Sequence, residues 1–155
     1  MKNLYRISPS VSVPDTDIEA ICFYDTRQIR NVFKEAEKEG RAYRGGTRQI
    51  KALIITKHGD IFTAPYLPKT YADKLVLLRK ISKDRSGCFL MEDCIRQVIF
   101  KLNSSYREML KEKKSCGKFI NCSRGKKTSC YVLTQSGYLF ACSKLTEYIQ
   151  EGGLS

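Results

Sequence analysis

Histidine is nearly missing from this 155-residue chain: His58 is the only one. It stands beside Gly59, with no Asp, Cys or second His at a catalytic or metal-ligating spacing. A solvent-facing turn residue is the reading. No Ser-His-Asp order, no phosphate-binding Gly-Lys-Ser/Thr loop and no metal-dependent nuclease signature occurs. Asp15 and Asp17 are better explained by a tight turn before a strand than as paired catalytic carboxylates. A non-catalytic protein without a cofactor is therefore expected. Cys-x-x-Cys pairs are also missing. The seven cysteines, Cys22, Cys88, Cys94, Cys116, Cys122, Cys130 and Cys142, match no zinc spacing, and their number is odd. They read as small buried apolar residues in a reducing compartment, with no metal and no disulfide. No apolar run approaches the roughly eighteen residues of a membrane span. The opening MKNLYRISPSVSVPDTD has no signal-peptide core. A cytoplasmic protein with no membrane partner is the expectation.

Positive charge is what the chain has in excess. Its formal net charge is +12. Residues 1–77 hold 13 Lys/Arg against 9 Asp/Glu, a net of +4, and residues 78–155 hold 15 against 7, a net of +8. A basic balance points to a polyanionic partner, chiefly nucleic acid, with a merely solubilising basic surface as the alternative.

An internal repeat organises the rest. KALIITKHGDIFTA at 51–64 superposes on SCYVLTQSGYLFAC at 129–142 with a shift of 78. Each is an apolar run, a polar turn with Gly59 or Gly137, then a second apolar run, which is a β-hairpin pattern. TRQIRNVFKEAEKE at 26–39 matches NSSYREMLKEKKSC at 103–116 with a shift of 77. Ile29, Val32, Phe33 and Ala36 give helical spacing, and Tyr106, Met109, Leu110 and Lys113 are their counterparts. Asp25 with Gln28, and Ser105 with Glu108, are the expected caps. VPDTDIEAICF at 13–23 meets LMEDCIRQVIF at 90–100, again shifted by 77. Three matched segments in order predict two fused copies of one α+β module, 1–81 and 82–155, with a linker at KDRSG, 83–87. A terminal helix is expected after Pro68 in the first copy, and a shorter one at KLTEYIQ in the second.

The loop between helix and second hairpin is basic in both copies. Arg41, Arg44, Arg48 and Lys51 accompany Gly45 and Gly46 in the first. Lys118, Arg124, Lys126 and Lys127 accompany Gly125, Ser123 and Thr128 in the second. Lys, Arg, Gly and hydroxyl residues together suit phosphate contacts. Arg48 suits a bidentate phosphate or guanine contact, and Gln49 an adenine edge or the sugar-phosphate backbone.

The pattern VPDTDIEAI, EAEKEG, TRQIKALIITKHGDIFTA and LPKTYADKL resembles the extracellular matrix regulatory protein family, the small Rem proteins of Gram-positive bacteria. RGKKTSCYVLTQSGYLFA in the second copy carries the family's Gly-basic-basic-Thr arrangement. The resemblance implies a LytTR-like DNA-binding module and a regulator of biofilm-matrix transcription that binds double-stranded DNA as a homo-oligomeric ring. It places the family's DNA-contacting basic pair on Arg48 and Gln49, and on Lys126 and Lys127. A further family arginine falls on Lys51 and Ser129, and another on Asp17 and Cys94. Gln49, Asp17 and Cys94 depart from the pattern, as does the fusion itself. The expected DNA-contacting residues are Arg44, Arg48, Gln49, Lys51, Lys118, Arg124, Lys126 and Lys127. A second class stays open: a structural or protein-interaction module that keeps the fold and has lost DNA binding, favoured by Asp17 and Gln49.

Overall fold

The computed structural model describes residues 3–45 and 49–150. Its architecture is mixed α+β. Strands β1 (Leu4–Ser8), β2 (Val11–Pro14) and β3 (Ile18–Phe23) precede helix α1 (Arg27–Lys38). Then come β4 (Ala42–Tyr43), β5 (Ala52–Thr56), β6 (Ile61–Ala64) and helix α2 (Pro68–Leu75). The second half supplies β7 (Ile81–Asp84), β8 (Phe89–Met91), β9 (Ile95–Ile99), helix α3 (Ser104–Ser115), β10 (Phe119–Asn121), β11 (Cys130–Thr134), β12 (Leu139–Cys142) and β13 (Leu145–Glu147). No helix among these residues is long and apolar enough to cross a membrane.

The apolar runs become hairpins because both faces of the first sheet are covered. Leu53 and Ile55 on β5 join one core with α1, while Ala52 and Ile54 join a second core with β1, β2 and α2. A strand buried on both sides reads as a continuous apolar run. Gly59 and Gly137 turn the two hairpins at φ +91 and +93, a conformation that costs a residue with a Cβ about 1–2 kcal/mol.

Helix α1 buries Ile29, Val32, Phe33 and Ala36, the residues its spacing predicts. Its cap is Thr26, whose Oγ1 accepts from the Ile29 N–H at 3.2 Å. Asn103 does the same for α3, accepting from Tyr106 N–H at 2.9 Å. The expected caps Asp25 and Ser105 lie one residue before and two after these positions. Helix α3 buries none of its residues, and Tyr106, Met109 and Leu110 stay half-exposed.

The two halves use one strand order. The seven-stranded sheet runs β13-β7-β8-β3-β5-β6-β4, and the four-stranded sheet runs β10-β12-β11-β9. Within them, β3-β5-β6-β4 and β9-β11-β12-β10 agree in order and sense, β4 and β10 pairing in parallel with β6 and β12. The registers agree too: Ile21 faces Ile54 and Ile54 faces Phe62, as Val98 faces Val132 and Val132 faces Phe140.

The ends of the halves depart from expectation. Residues 83–87 are no linker: Lys83 and Asp84 end β7, and the rest is its turn into β8. The division expected at 81/82 falls inside β7, and β8 pairs with β3 of the first half. KLTEYIQ is no helix: β13 pairs antiparallel with β7, and Tyr148 packs edge-on against Phe89 at 4.9 Å. Helix α1 thus lies between the sheets, its buried face sharing one core with Ile120, Val132, Tyr138 and Phe140 of the second half. Truncating Phe33, fully buried there, to Ala would cost about 3–5 kcal/mol.

Candidate nucleic-acid interface

The first basic loop is partly spent on its own fold. Arg44 ion-pairs with Glu37 (Nε to Oε2, 3.1 Å) and stacks over Phe33 at 4.9 Å. Arg41 donates to the Gly59 carbonyl at 2.5 Å and to the Tyr138 hydroxyl at 3.1 Å, which binds the two halves together. Gln49 and Lys51 are exposed. Arg48 lies outside the described residues. Asp17 sits under the β5–β6 turn, 3.7 Å from Lys57 Nζ and 3.9 Å from His58 Nε2, so the fold brings His58 a carboxylate that sequence spacing did not reveal.

The second loop is more open. Arg124 takes a left-handed φ of +51 before Gly125. Its guanidinium lies 4.4 Å over the Phe23 ring, ion-pairs with Asp25, and donates to the Ser86 carbonyl at 3.4 Å. It is a clasp between halves as well as a surface cation. Ser123 is buried and donates to Asn121 Oδ1 at 2.5 Å, so its hydroxyl is occupied. Lys126 and Lys127 are exposed, and among the described residues neither ion-pairs with a carboxylate. Lys118 is not in this group. It precedes β10 while the loop follows it, a separation of about 10 Å along the strand.

Three further cations lie on elements hydrogen-bonded to this loop or to its neighbouring turn. The Arg85 N–H donates to the Lys144 carbonyl at 2.8 Å, and Ser129 Oγ donates to the Ser143 carbonyl at 2.5 Å. These bonds bring the β7–β8 and β12–β13 turns against the second loop. Lys83, Arg85 and Lys144 line a cleft of about 460 Å³ with Asp84 and Thr146. Asp84 is fully buried. Its Oδ1 accepts from the Ser143 and Lys144 N–H groups, each at 2.9 Å, and its Oδ2 accepts from Ser86 Oγ at 2.5 Å and Ser86 N–H at 3.3 Å. One carboxylate thus ties two basic turns together. The cluster forms only because 83–87 lies in the β7–β8 hairpin and β13 pairs with β7, partnerships that local sequence does not display.

Opposite charge enters the inter-half contact once more, in the interior. Glu19 is fully buried on β3. It accepts from Thr134 Oγ1 at 2.9 Å, from the Ser136 N–H at 2.8 Å and from Ser136 Oγ. Burial raises its carboxyl above the ordinary value, against those hydrogen bonds and nearby Arg96, which lower it.

No protein-family model and no curated protein matches this chain.

Proposed function

We propose that the chain is a non-catalytic, cytoplasmic regulator that binds double-stranded DNA through the face formed by Lys126, Lys127, Arg85 and Lys144. One observation carries the reading. The loop that carries the exposed, adjacent Lys126 and Lys127 is tied through Ser129 to the turn that carries Lys144, and through it to Arg85, and among the described residues the only carboxylate lining the cleft of those turns is buried and hydrogen-bonded inward. Such a face neutralises phosphates and positions a protein on a duplex without reading bases. The first loop then contributes less, through Lys51, Gln49 and the Arg48 region, because Arg44 is paired with Glu37.

The same proposal makes the chain a tandem duplication of a LytTR-like, Rem-type module. Matching strand order, sense and register in the two halves support it. It also includes a homo-oligomer. In the first half, strand β3 is covered by β8. Its counterpart β9 is the outer strand of its sheet, with Val98 37% and Phe100 76% exposed. A further copy of the chain suits that edge, since an open apolar edge strand templates pairing. That edge is equally what a protein-interaction module would present, so DNA binding decides between the two classes. The test is fluorescence anisotropy of labelled duplexes of unrelated sequence across several salt concentrations. Binding that weakens steeply with salt and is similar for all duplexes supports the regulator. No binding at low salt sinks it in favour of the interaction module.

A further inference from the structure

Motif spacing assigns the cysteines no role beyond packing, but the fold assembles five of the seven in the core between the two sheets. The Sγ atoms of Cys22 on β3, Cys88 just before β8 and Cys122 just after β10 all lie within 4.8 Å of one another. Cys142, at the end of β12, meets the Cys122 thiol, and Cys130 meets Cys142. All five are buried, and all are free thiols.

Packing alone does not demand cysteine here. The matching registers set Cys22 against Ile99, Cys122 against Gly45 and Cys142 against Ala64. The other half builds the same strands with other residues. The thiols are instead concentrated where the halves meet: Cys22 belongs to the first half, and the others to the second.

We propose that Cys22, Cys88 and Cys122, with Cys142 as fourth ligand, form a thiolate site for a single zinc ion that staples the two halves. Tetrahedral zinc with Zn–S bonds of about 2.3 Å holds its sulfurs about 3.8 Å apart, so the longest edge of the trio contracts by about 1 Å at most. Cys142 reaches the ion by turning from its contact with Cys122. As each Sγ–Zn bond forms, the thiol proton leaves to solvent, and no electron is transferred. The backbone of Phe23 lies beside the Cys88 sulfur, and a donor there favours thiolate. The ligands come from β3, from the residues next to β8 and β10, and from β12, so metal binding is coupled to assembly of the whole chain.

The test uses the full chain produced with zinc in the medium and purified with reductant. Elemental analysis should find one zinc per chain. Refolding with cobalt(II) should give the intense visible d–d bands of a tetrahedral thiolate site, with sulfur-to-cobalt charge transfer. The Cys22→Ser/Cys88→Ser variant should lose both, and Cys116→Ser, at an exposed cysteine outside the cluster, should keep both. A parent chain without zinc and without cobalt bands overturns the site and leaves the thiols as packing. Metal retained by the double variant overturns the ligand assignment, and so does a disulfide among the four. Should the double variant fail to fold, the parent's zinc content and cobalt spectrum decide alone.

Discussion

Replacing Asp84 with Ala removes the acceptor for hydrogen bonds from Ser86 N–H and Oγ within the β7–β8 turn and from Ser143 N–H, Ser143 Oγ and Lys144 N–H of the β12–β13 turn. Hydrogen bonds to a charged group contribute about 1.5–3 kcal/mol each. These share one carboxylate and do not add. Lys144 is exposed and Ser143 half-exposed, so water can reach part of what is left behind. About 3–4 kcal/mol is the resulting loss. At roughly 2–4 °C per kcal/mol for a chain of this size, Tm falls by about 10 °C. Asp84→Asn keeps the oxygen facing the Ser143 and Lys144 N–H groups and lets Ser86 Oγ accept from the new amide, leaving only the Ser86 N–H unmatched. It should cost about 1–2 kcal/mol. Urea denaturation followed by circular dichroism, with the slope checked for constancy, measures both. If Asp84→Ala stays within about 0.5 kcal/mol of the parent, as an ordinary surface change does, this carboxylate does not hold the basic turns.

Three further perturbations probe the contact between the halves and the open edge. The raised Glu19 carboxyl means the folded state holds its proton more tightly than the unfolded state does. Its contribution is therefore most favourable at low pH and is lost as pH rises from the unfolded value, about 4.3, through the raised folded value. Glu19→Gln should flatten that stretch of the stability–pH curve, and a parent-to-variant difference constant from pH 4 to 7 would count against it. Gly87→Ala places a Cβ 2.5 Å from Phe23 Cε2 at φ +97, whereas Gly125→Ala meets open space at φ +84. About 2–4 kcal/mol is expected for the first and about 1 for the second; equal losses in thermal melts would show that the Phe23 contact carries no weight. Phe100→Asp, on the exposed end of the β9 edge, should leave stability within about 0.5 kcal/mol and lower the mass seen by light scattering, an expectation defeated by a parent that is already monomeric at micromolar concentration.

Local patterns were legible where a single element buries its own face. The hairpins β5–β6 and β11–β12 followed from apolar runs on either side of Gly59 and Gly137. Helix α1 followed from Ile29, Val32, Phe33 and Ala36. What stayed hidden depends on partners distant in the chain. KLTEYIQ contains good helix formers, but pairing with β7 and the packing of Tyr148 on Phe89 outweigh that preference. Residues 83–87 look like a linker because Asp, Ser and Gly are turn formers, and they do form a turn, inside a hairpin. The caps shifted because a capping oxygen must belong to the residue with extended backbone, Thr26 or Asn103, rather than to a nearby Asp or Ser. Motif spacing is blind to Cys22, Cys88 and Cys122, which meet only through three separate strands. Of the basic candidates, Lys126 and Lys127 were legible as an exposed pair. Arg44 and Arg124 bear intramolecular contacts that charge counting cannot foresee, and Arg85 and Lys144 join the face only through tertiary turns.

The central claim is that DNA affinity resides in the second loop and its neighbouring turns. Each phosphate neutralised by Lys or Arg releases condensed counterions, so the slope of log affinity against log salt reports how many phosphates are neutralised. Fluorescence anisotropy on a short duplex, repeated across salt concentrations, should show Lys126→Glu/Lys127→Glu binding unrelated sequences about equally less well. Its slope should be shallower by roughly one for each phosphate left unneutralised. Lys51→Glu in the first loop should change both less. A Lys126→Glu/Lys127→Glu chain that binds like the parent with an unchanged slope would contradict the account and leave the chain an interaction module.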